Sequence, residues 1–117
     1  MPLEPRDAAH LWDIVDMSRN VREFMADVKP HEYLVDRKLQ LAIERAIEII
    51  GEAARHLSDA FKADHPEIPW RQIVAQRHVI AHEYGEIKQE RLWLVATREV
   101  PKLLEQLEPL LPPRPSE

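Results

Sequence analysis

One short stretch of the chain concentrates side chains that could do chemistry. The segment Gln76-Arg-His-Val-Ile-Ala-His-Glu-Tyr-Gly85 contains one guanidinium, two imidazoles and one phenol. On a helix, His78 and His82 share a face, whereas Arg77 lies about 100° from His78 and about 140° from His82 around the axis. Tyr84 follows Arg77 by seven residues and nearly eclipses it. One helix would therefore present a broad polar face that needs a partner or a solvent cleft.

Arginine and histidine together could cleave RNA without a metal ion. Arginine binds a phosphate through two parallel N–H groups, and histidine exchanges a proton near neutral pH. A histidine would deprotonate the ribose 2′-hydroxyl or protonate the leaving 5′-oxygen, while Arg77 would stabilise the charge that develops on the phosphate oxygens. DNA lacks the 2′-hydroxyl and would be inert. Because Arg77 and His82 diverge on one helix, two copies facing each other across a two-fold axis could complete the site.

Each of these residues also has a structural interpretation. A lone arginine on a helix is most often solvated or ion-paired, and on spacing alone this is the commoner case for Arg77. His78 and His82 have the spacing of a zinc clip, but the chain has no Cys and the sequence offers no obvious third ligand. We therefore predict no metal and no cofactor. Tyr84 could simply close the helix against the core before Gly85.

Length and composition restrict the class of protein. The chain has 117 residues with no Cys and two Gly, which predicts one domain, no disulfide framework and no hairpin-rich β-fold. No apolar run reaches the roughly 18 residues that cross a bilayer, and the N-terminus is polar, so we expect a cytoplasmic protein with no membrane partner. The net charge of -5 argues against a broad electrostatic attraction for nucleic acid. Any contact with RNA must be local.

Helical periodicity accounts for the first half of the chain. A first amphipathic helix is predicted from Asp7, acting as its N-cap, to near Val28. The longest apolar period runs over residues 39–61 and predicts the longest helix. Gly51 lies inside this period at a cost of about 1 kcal/mol relative to Ala, which indicates that another backbone packs closely there.

Two further helices are predicted in the second half. The segment 65–70, His-Pro-Glu-Ile-Pro-Trp, is a rigid connector, and Pro69 suits the first turn of a third helix that carries the polar residues and stops near Gly85. A fourth segment over residues 88–107 contains Pro101, where the helix must kink or restart.

These elements together predict the fold class. We expect an all-α protein, an antiparallel bundle of four to five helices, in a single domain over residues 1–108. Residues 109–117 are rich in proline and are predicted to form an extended, largely disordered tail.

The remaining charged and aromatic residues are predicted to be structural. The i, i+4 spacing of a solvated, ion-paired helix face is found at Glu44, Arg45, Glu48 and Glu52. Apolar stripes carry the three tryptophans, which are predicted to pack rather than to stack on bases: Trp12, Trp70 and Trp93. A local basic rim for RNA is conceivable, although scattered surface charge is the commoner explanation, at Arg71, Lys88, Arg91 and Arg98.

Three segments resemble the HEPN-domain toxins of the HepT type. Arg77-x-x-x-x-His82-x-Tyr84 resembles their R-x4-H-x-Y signature. Upstream, Glu48-Ile-Ile-Gly-Glu-Ala-Ala54 and then the 65–70 connector resemble that family in order and spacing. The segment around Pro101 is also similar, so the resemblance covers nearly the whole chain to about residue 107.

The resemblance implies a HEPN-like bundle that forms a homodimer through the motif helix, with a metal-independent endoribonuclease site at Arg77 and His82 that acts through 2′-hydroxyl attack. It also implies the toxin of a type VII-like HEPN/MNT toxin–antitoxin system. The antitoxin partner would be a minimal nucleotidyltransferase that adenylylates Tyr84, adding bulk and negative charge at a phosphate site. His78 departs from the family, which often has Asn there, and is a possible auxiliary residue.

Two other functions are compatible with the same motif. The chain could be a non-enzymatic helical partner of the nucleotidyltransferase that accepts AMP on Tyr84, or a plain dimerisation module. Metal-independent cleavage of RNA that depends on Arg77 and His82 would distinguish the enzyme from both.

Overall fold

A computed structural model describes residues 3–82 and 88–114. All regular structure in these two ranges is helical, which confirms the predicted all-α class. The α-helices are α1 Pro5–Phe24, α2 Pro30–Tyr33, α3 Arg37–His56, α4 Asp59–Asp64, α5 Trp70–His82, α6 Gln89–Leu94 and α7 Val100–Leu107. A π-helical segment, Val95–Glu99, joins α6 to α7. In the described ranges, no helix is both long and apolar enough to cross a membrane.

Helix α3 is the centre of the bundle, because it packs against both α1 and α5, while α7 packs against α1. Burial of apolar surface, at about 25 cal/mol per Å², is the main force that holds these helices together. Trp70 and Trp93 pack against the core, as the sequence predicts. The core itself includes the buried residues Leu11, Ile14, Val15, Ile43, Ile47, Ile80, Leu104 and Leu107.

The prediction that Asp7 caps α1 is wrong. Helix α1 starts at Pro5 after Glu4, and Asp7 lies within its first turn. The Asp7 side chain is buried and accepts two hydrogen bonds from Ser58, one from the backbone N–H at 2.8 Å and one from the hydroxyl at 2.6 Å. The Ser58 hydroxyl oxygen in turn accepts from the Phe61 N–H and caps α4. Asp7 therefore connects α1 to the start of α4.

The longest apolar period forms two helices instead of one. Helix α3 ends at His56, and Ser58, held by Asp7, begins α4. The apolar pattern does not reveal the break, because it continues across Ser58 through two buried residues, Leu57 and Phe61. The first helix is also shorter than predicted, since Asp27 has a φ of 60°, a left-handed conformation that cannot continue a helix.

The other two helical segments agree with the sequence. Helix α5 starts at Trp70, directly after Pro69, and the predicted stop near Gly85 lies outside the described residues. Pro101 lacks the N–H that would continue the helical ladder, and a π-helical segment directly precedes the helix that contains it. The predicted kink or restart thus takes the form of a change in helix type.

The chain after α7 is attached to α1. The Trp12 indole N–H donates to the Pro112 carbonyl at 3.1 Å. The Arg114 guanidinium lies 4.0 Å from the centre of the Trp12 ring and 2.9 Å from an Asp16 carboxylate oxygen. The domain boundary predicted at residue 108 stays a prediction, and residues 115–117 lie outside the described part of the chain.

We predict that Asp7→Asn lowers the free energy of unfolding by about 1 to 3 kcal/mol, because the amide has one acceptor oxygen where the carboxylate uses two. Urea denaturation at neutral pH measures the loss. Asp64→Asn, at an exposed carboxylate on α4, is the control and should change stability by less than about 0.5 kcal/mol. Equal stability of the two variants would show that the Asp7–Ser58 connection does not hold the helices.

Candidate functional site

Helix α5 packs closely against α3 at Gly51. A Cβ atom at Gly51 would clash with the Cβ of Arg77 and would lie 3.0 Å from the Ile73 carbonyl oxygen. The sequence-based prediction of a closely packed backbone at this glycine is confirmed, and the neighbouring backbone is that of the motif helix itself. Because Gly51 has no side chain, α5 can pack close to α3, and the Arg77 side chain begins directly beside Gly51.

Glu52 pairs with Arg77 beside this contact. The Arg77 Nε lies 3.0 Å from Glu52 Oε2, as an ion pair that lacks the alignment of a hydrogen bond. The Arg77 side chain is 29% exposed. Its pairing uses Nε, whereas the fork of the two terminal nitrogens is the part of a guanidinium that binds a phosphate in a bidentate manner.

The other oxygen of Glu52 contacts two more basic side chains. Oε1 accepts a hydrogen bond from Arg55 Nη2 at 3.0 Å and lies 2.9 Å from His56 Nε2. Hydrogen bonds from Arg55 and then His56, with a smaller contribution from the charge of Arg77, lower the pKa of Glu52 to about 2. The carboxylate is therefore ionised at neutral pH. Glu52 is partly exposed and ion-paired, as its spacing predicts, but it also contacts Arg77, because α5 crosses α3 at this point.

A polar cleft of about 370 Å³ opens between α1, α3 and α5. The rings of His10 on α1 and His56 on α3 stack in it, with centroids 5.5 Å apart and planes inclined by 21°. Besides these two histidines, its polar lining consists of Asp13, Arg45, Glu48, Glu52 and Arg77. Sequence analysis did not single out His10 or His56, because only the packing of α1 on α3 brings them together.

The structure describes the other residues of the motif segment only in part. His78 is exposed on α5. His82 is the last described residue of α5, and its side chain, like the whole of Tyr84, lies outside the described part of the chain. The catalytic roles of Arg77 and His82, the auxiliary role of His78 and the modification of Tyr84 stay predictions.

A second polar contact anchors the chain just after the motif. Gln89, at the start of α6, donates to Glu44 Oε2 at 2.8 Å and accepts from the Tyr33 hydroxyl at 2.7 Å. Burial, followed by the nearby charge of Glu44, raises the pKa of Tyr33. Glu44 is only 9% exposed, so the prediction of a solvated face is wrong for this residue. Helix α3 thus contacts the first residue of the motif, Arg77, and the chain that follows the motif, at Gln89.

The chain is similar to proteins named as ribonucleases. The profile of a family described as "Ribonuclease HepT-like" matches residues 14–110. A protein of Thermococcus cleftensis named "Probable ribonuclease HepT" is 36% identical over 101 residues, which cover 86% of this chain and 92% of that protein. A Methanocaldococcus jannaschii protein named "Putative RNase MJ1380" is 34% identical over 100 residues, with the same shares covered. No solved structure matches the chain.

We predict that Gly51→Ala destabilises the protein by about 1 to 3 kcal/mol, because the added methyl group must push α5 away from α3. In a helix without this contact, the same substitution would stabilise by about 1 kcal/mol. Chemical denaturation shows whether the substitution lowers or raises the free energy of unfolding. Glu48→Ala, about one turn earlier on α3, serves as the control and should stay within about 0.5 kcal/mol of the parent. A gain in stability from Gly51→Ala would contradict the close approach.

Proposed function

Because the chain belongs to the HepT-like ribonuclease family, we propose that it is a metal-independent endoribonuclease that uses Arg77 and His82. The observation that most supports this is the position of Arg77. Arg77 lines an open polar cleft, and its guanidinium is paired with Glu52 through Nε. An arginine held in this way needs little reorganisation to bind a phosphate, which is the condition for electrostatic catalysis.

The proposed reaction is a transesterification within RNA. His82 takes the proton of the ribose 2′-hydroxyl, or gives one to the leaving 5′-oxygen, and a second proton donor or acceptor completes the transfer. The 2′-oxygen bonds to phosphorus while the bond to the 5′-oxygen breaks, which leaves a 2′,3′-cyclic phosphate and a free 5′-hydroxyl. Arg77 stabilises the negative charge that develops on the phosphate oxygens. His78 is an auxiliary group in this scheme.

We predict that Arg77→Ala and His82→Ala each slow RNA cleavage in the presence of EDTA by about 100-fold or more, because each removes a group that acts in the transition state. His78→Asn should be milder. Purified, unmodified protein with total RNA is the assay, and circular dichroism checks the fold of each variant. If His78→Asn abolished activity and His82→Ala did not, the roles of the two histidines would be reversed. Absence of cleavage by the parent protein would favour the non-enzymatic AMP acceptor.

The site is proposed to be shared between two copies of the chain. The basis is geometric, since Arg77 and His82 diverge by about 140° on one helix and a facing copy of α5 would supply the missing group.

The dimer predicts a solution mass of twice the 13.7 kDa of one chain, measured by light scattering at the concentration used for cleavage. Mixing Arg77→Ala subunits with His82→Ala subunits should restore part of the activity, because one of the two composite sites in a mixed dimer is intact. A monomer that cleaves RNA at full rate would contradict the shared site.

We further propose that the protein is the toxin of a type VII-like toxin–antitoxin system in the cytoplasm. Its partner would be a minimal nucleotidyltransferase that transfers AMP from ATP to the Tyr84 hydroxyl, so that the phenolic oxygen bonds to the α-phosphorus and pyrophosphate leaves. On an ideal helix Tyr84 nearly eclipses Arg77, so the added phosphodiester would repel RNA and pair with the guanidinium.

We predict that co-expression with such a nucleotidyltransferase adds the mass of one or more AMP groups to the chain, and that Tyr84→Phe stays unmodified because it has no hydroxyl to accept them. Intact mass spectrometry measures the addition, and RNA cleavage should fall in proportion to the modified fraction. Full inhibition of Tyr84→Phe by the same partner would show that binding alone silences the protein.

A further inference from the structure

Two histidines in the polar cleft have no part in the proposed reaction. The rings of His10 and His56 stack in the cleft that Arg77 also lines, although the two histidines precede Arg77 by 67 and 21 residues in the sequence. His56 is tied to the same carboxylate as Arg77, through the other oxygen. One ionised carboxylate thus holds a guanidinium and an imidazole side by side, at 3.0 Å and 2.9 Å from its two oxygens.

We propose that Glu52 is a positioning residue that holds Arg77 and His56 as a joint binding site for one phosphate group of RNA. The inference rests on the proposed ribonuclease function and adds His56 to the groups that touch the substrate. A phosphate has several acceptor oxygens, and two neighbouring cationic donors bind it more strongly and in a better defined orientation than one.

Exposure distinguishes this arrangement from a purely structural ion pair. The His56 side chain is 37% exposed and faces an open cleft, so its ring can reach a ligand. An exposed ion pair contributes little to folding stability, so replacing one of these partners should leave the fold intact and report on binding.

The charges around the cleft are compatible with a bound nucleotide. Arg45 and Glu48 form an ion pair, so the negative charge of Glu48 is neutralised locally. Asp13 is the remaining carboxylate of the lining and can accept a hydrogen bond from a ribose hydroxyl. The net charge of the chain is negative, which agrees with a local phosphate site and disagrees with a broad basic surface.

Glu52 is the carboxylate that contacts both basic groups of the proposed site. The charged and titratable groups that face His56 are His10 and Asp13 on α1, Arg45, Glu48, Glu52 and Arg55 on its own helix, and Arg77 on α5. Glu52→Gln removes the negative charge that holds His56 and Arg77 side by side, so both groups should lose their fixed positions.

The test compares RNA cleavage in EDTA for the parent, Glu52→Gln, Glu52→Asp and His56→Gln. We expect kcat/KM to fall about 10-fold or more in Glu52→Gln and His56→Gln, and partial recovery in Glu52→Asp, which keeps the charge. Two control variants should match the parent. Glu108→Gln removes a carboxylate from a similarly exposed ion pair with Arg19 outside the cleft, and His31→Gln removes an exposed histidine on α2.

A second measurement separates binding from catalysis. An RNA oligonucleotide with 2′-O-methyl riboses cannot be cleaved by 2′-hydroxyl attack, and it should shift the NMR signals of the His56 ring in the parent protein. Its Kd should rise about 10-fold in Glu52→Gln and His56→Gln. If Glu52→Gln failed to fold by circular dichroism, His56→Gln, which keeps the Glu52–Arg77 pair, would carry the test.

The outcomes distinguish this inference from the proposed function. Shifted His56 signals and weaker binding in both variants, without cleavage by the parent, would support the phosphate site and overturn the nuclease. Cleavage by the parent, with both variants equal to Glu108→Gln in cleavage and binding, would overturn the role of Glu52 and His56 and leave the nuclease intact. Neither cleavage nor binding by the parent would overturn both.

Discussion

The close approach of α3 and α5 at Gly51 is the constraint on which the candidate site depends. No other residue type fits there without displacing Arg77 or the backbone at Ile73. Because the two helices touch, the first polar residue beside the contact, Glu52, meets the guanidinium of Arg77 directly. This packing contact thus orients Arg77, the arginine of the motif.

Helix α3 acts as a scaffold for the motif through carboxylates in two different environments. Glu44 is buried and holds Gln89, so it fixes the chain that follows the motif. Glu52 is partly exposed and holds Arg77 and His56 at the edge of a cleft. Buried polar pairs specify one arrangement of the backbone, whereas a partly exposed one can exchange partners with a ligand.

Local sequence rules predicted the features that depend on neighbours along the chain. The all-α class, the start of α5 after Pro69 and the interruption near Pro101 follow from periodicity and from the missing N–H of proline. Gly51 could be interpreted because glycine inside a helix carries a cost that packing must explain.

Long-range pairings were not predictable in the same way. Asp7 has the features of an N-cap in sequence, yet its partner is Ser58, 51 residues away. The i, i+4 pattern of Glu44 and Glu52 is identical for a solvated face and for one covered by another helix, so only the packing of α5 and α6 decides between them. The one sequence signal for Glu52 was its position beside Gly51.

The most direct measurement is the rate of RNA cleavage by folded Gly51→Ala in EDTA. The control is Val21→Ala, which truncates a core residue on α1 about 12 Å or more along that helix from the cleft. Well below the unfolding temperature of both variants, the account predicts that Gly51→Ala is slower by about 10-fold or more while Val21→Ala keeps the parent rate. A folded Gly51→Ala protein that cleaves RNA at the parent rate would contradict it.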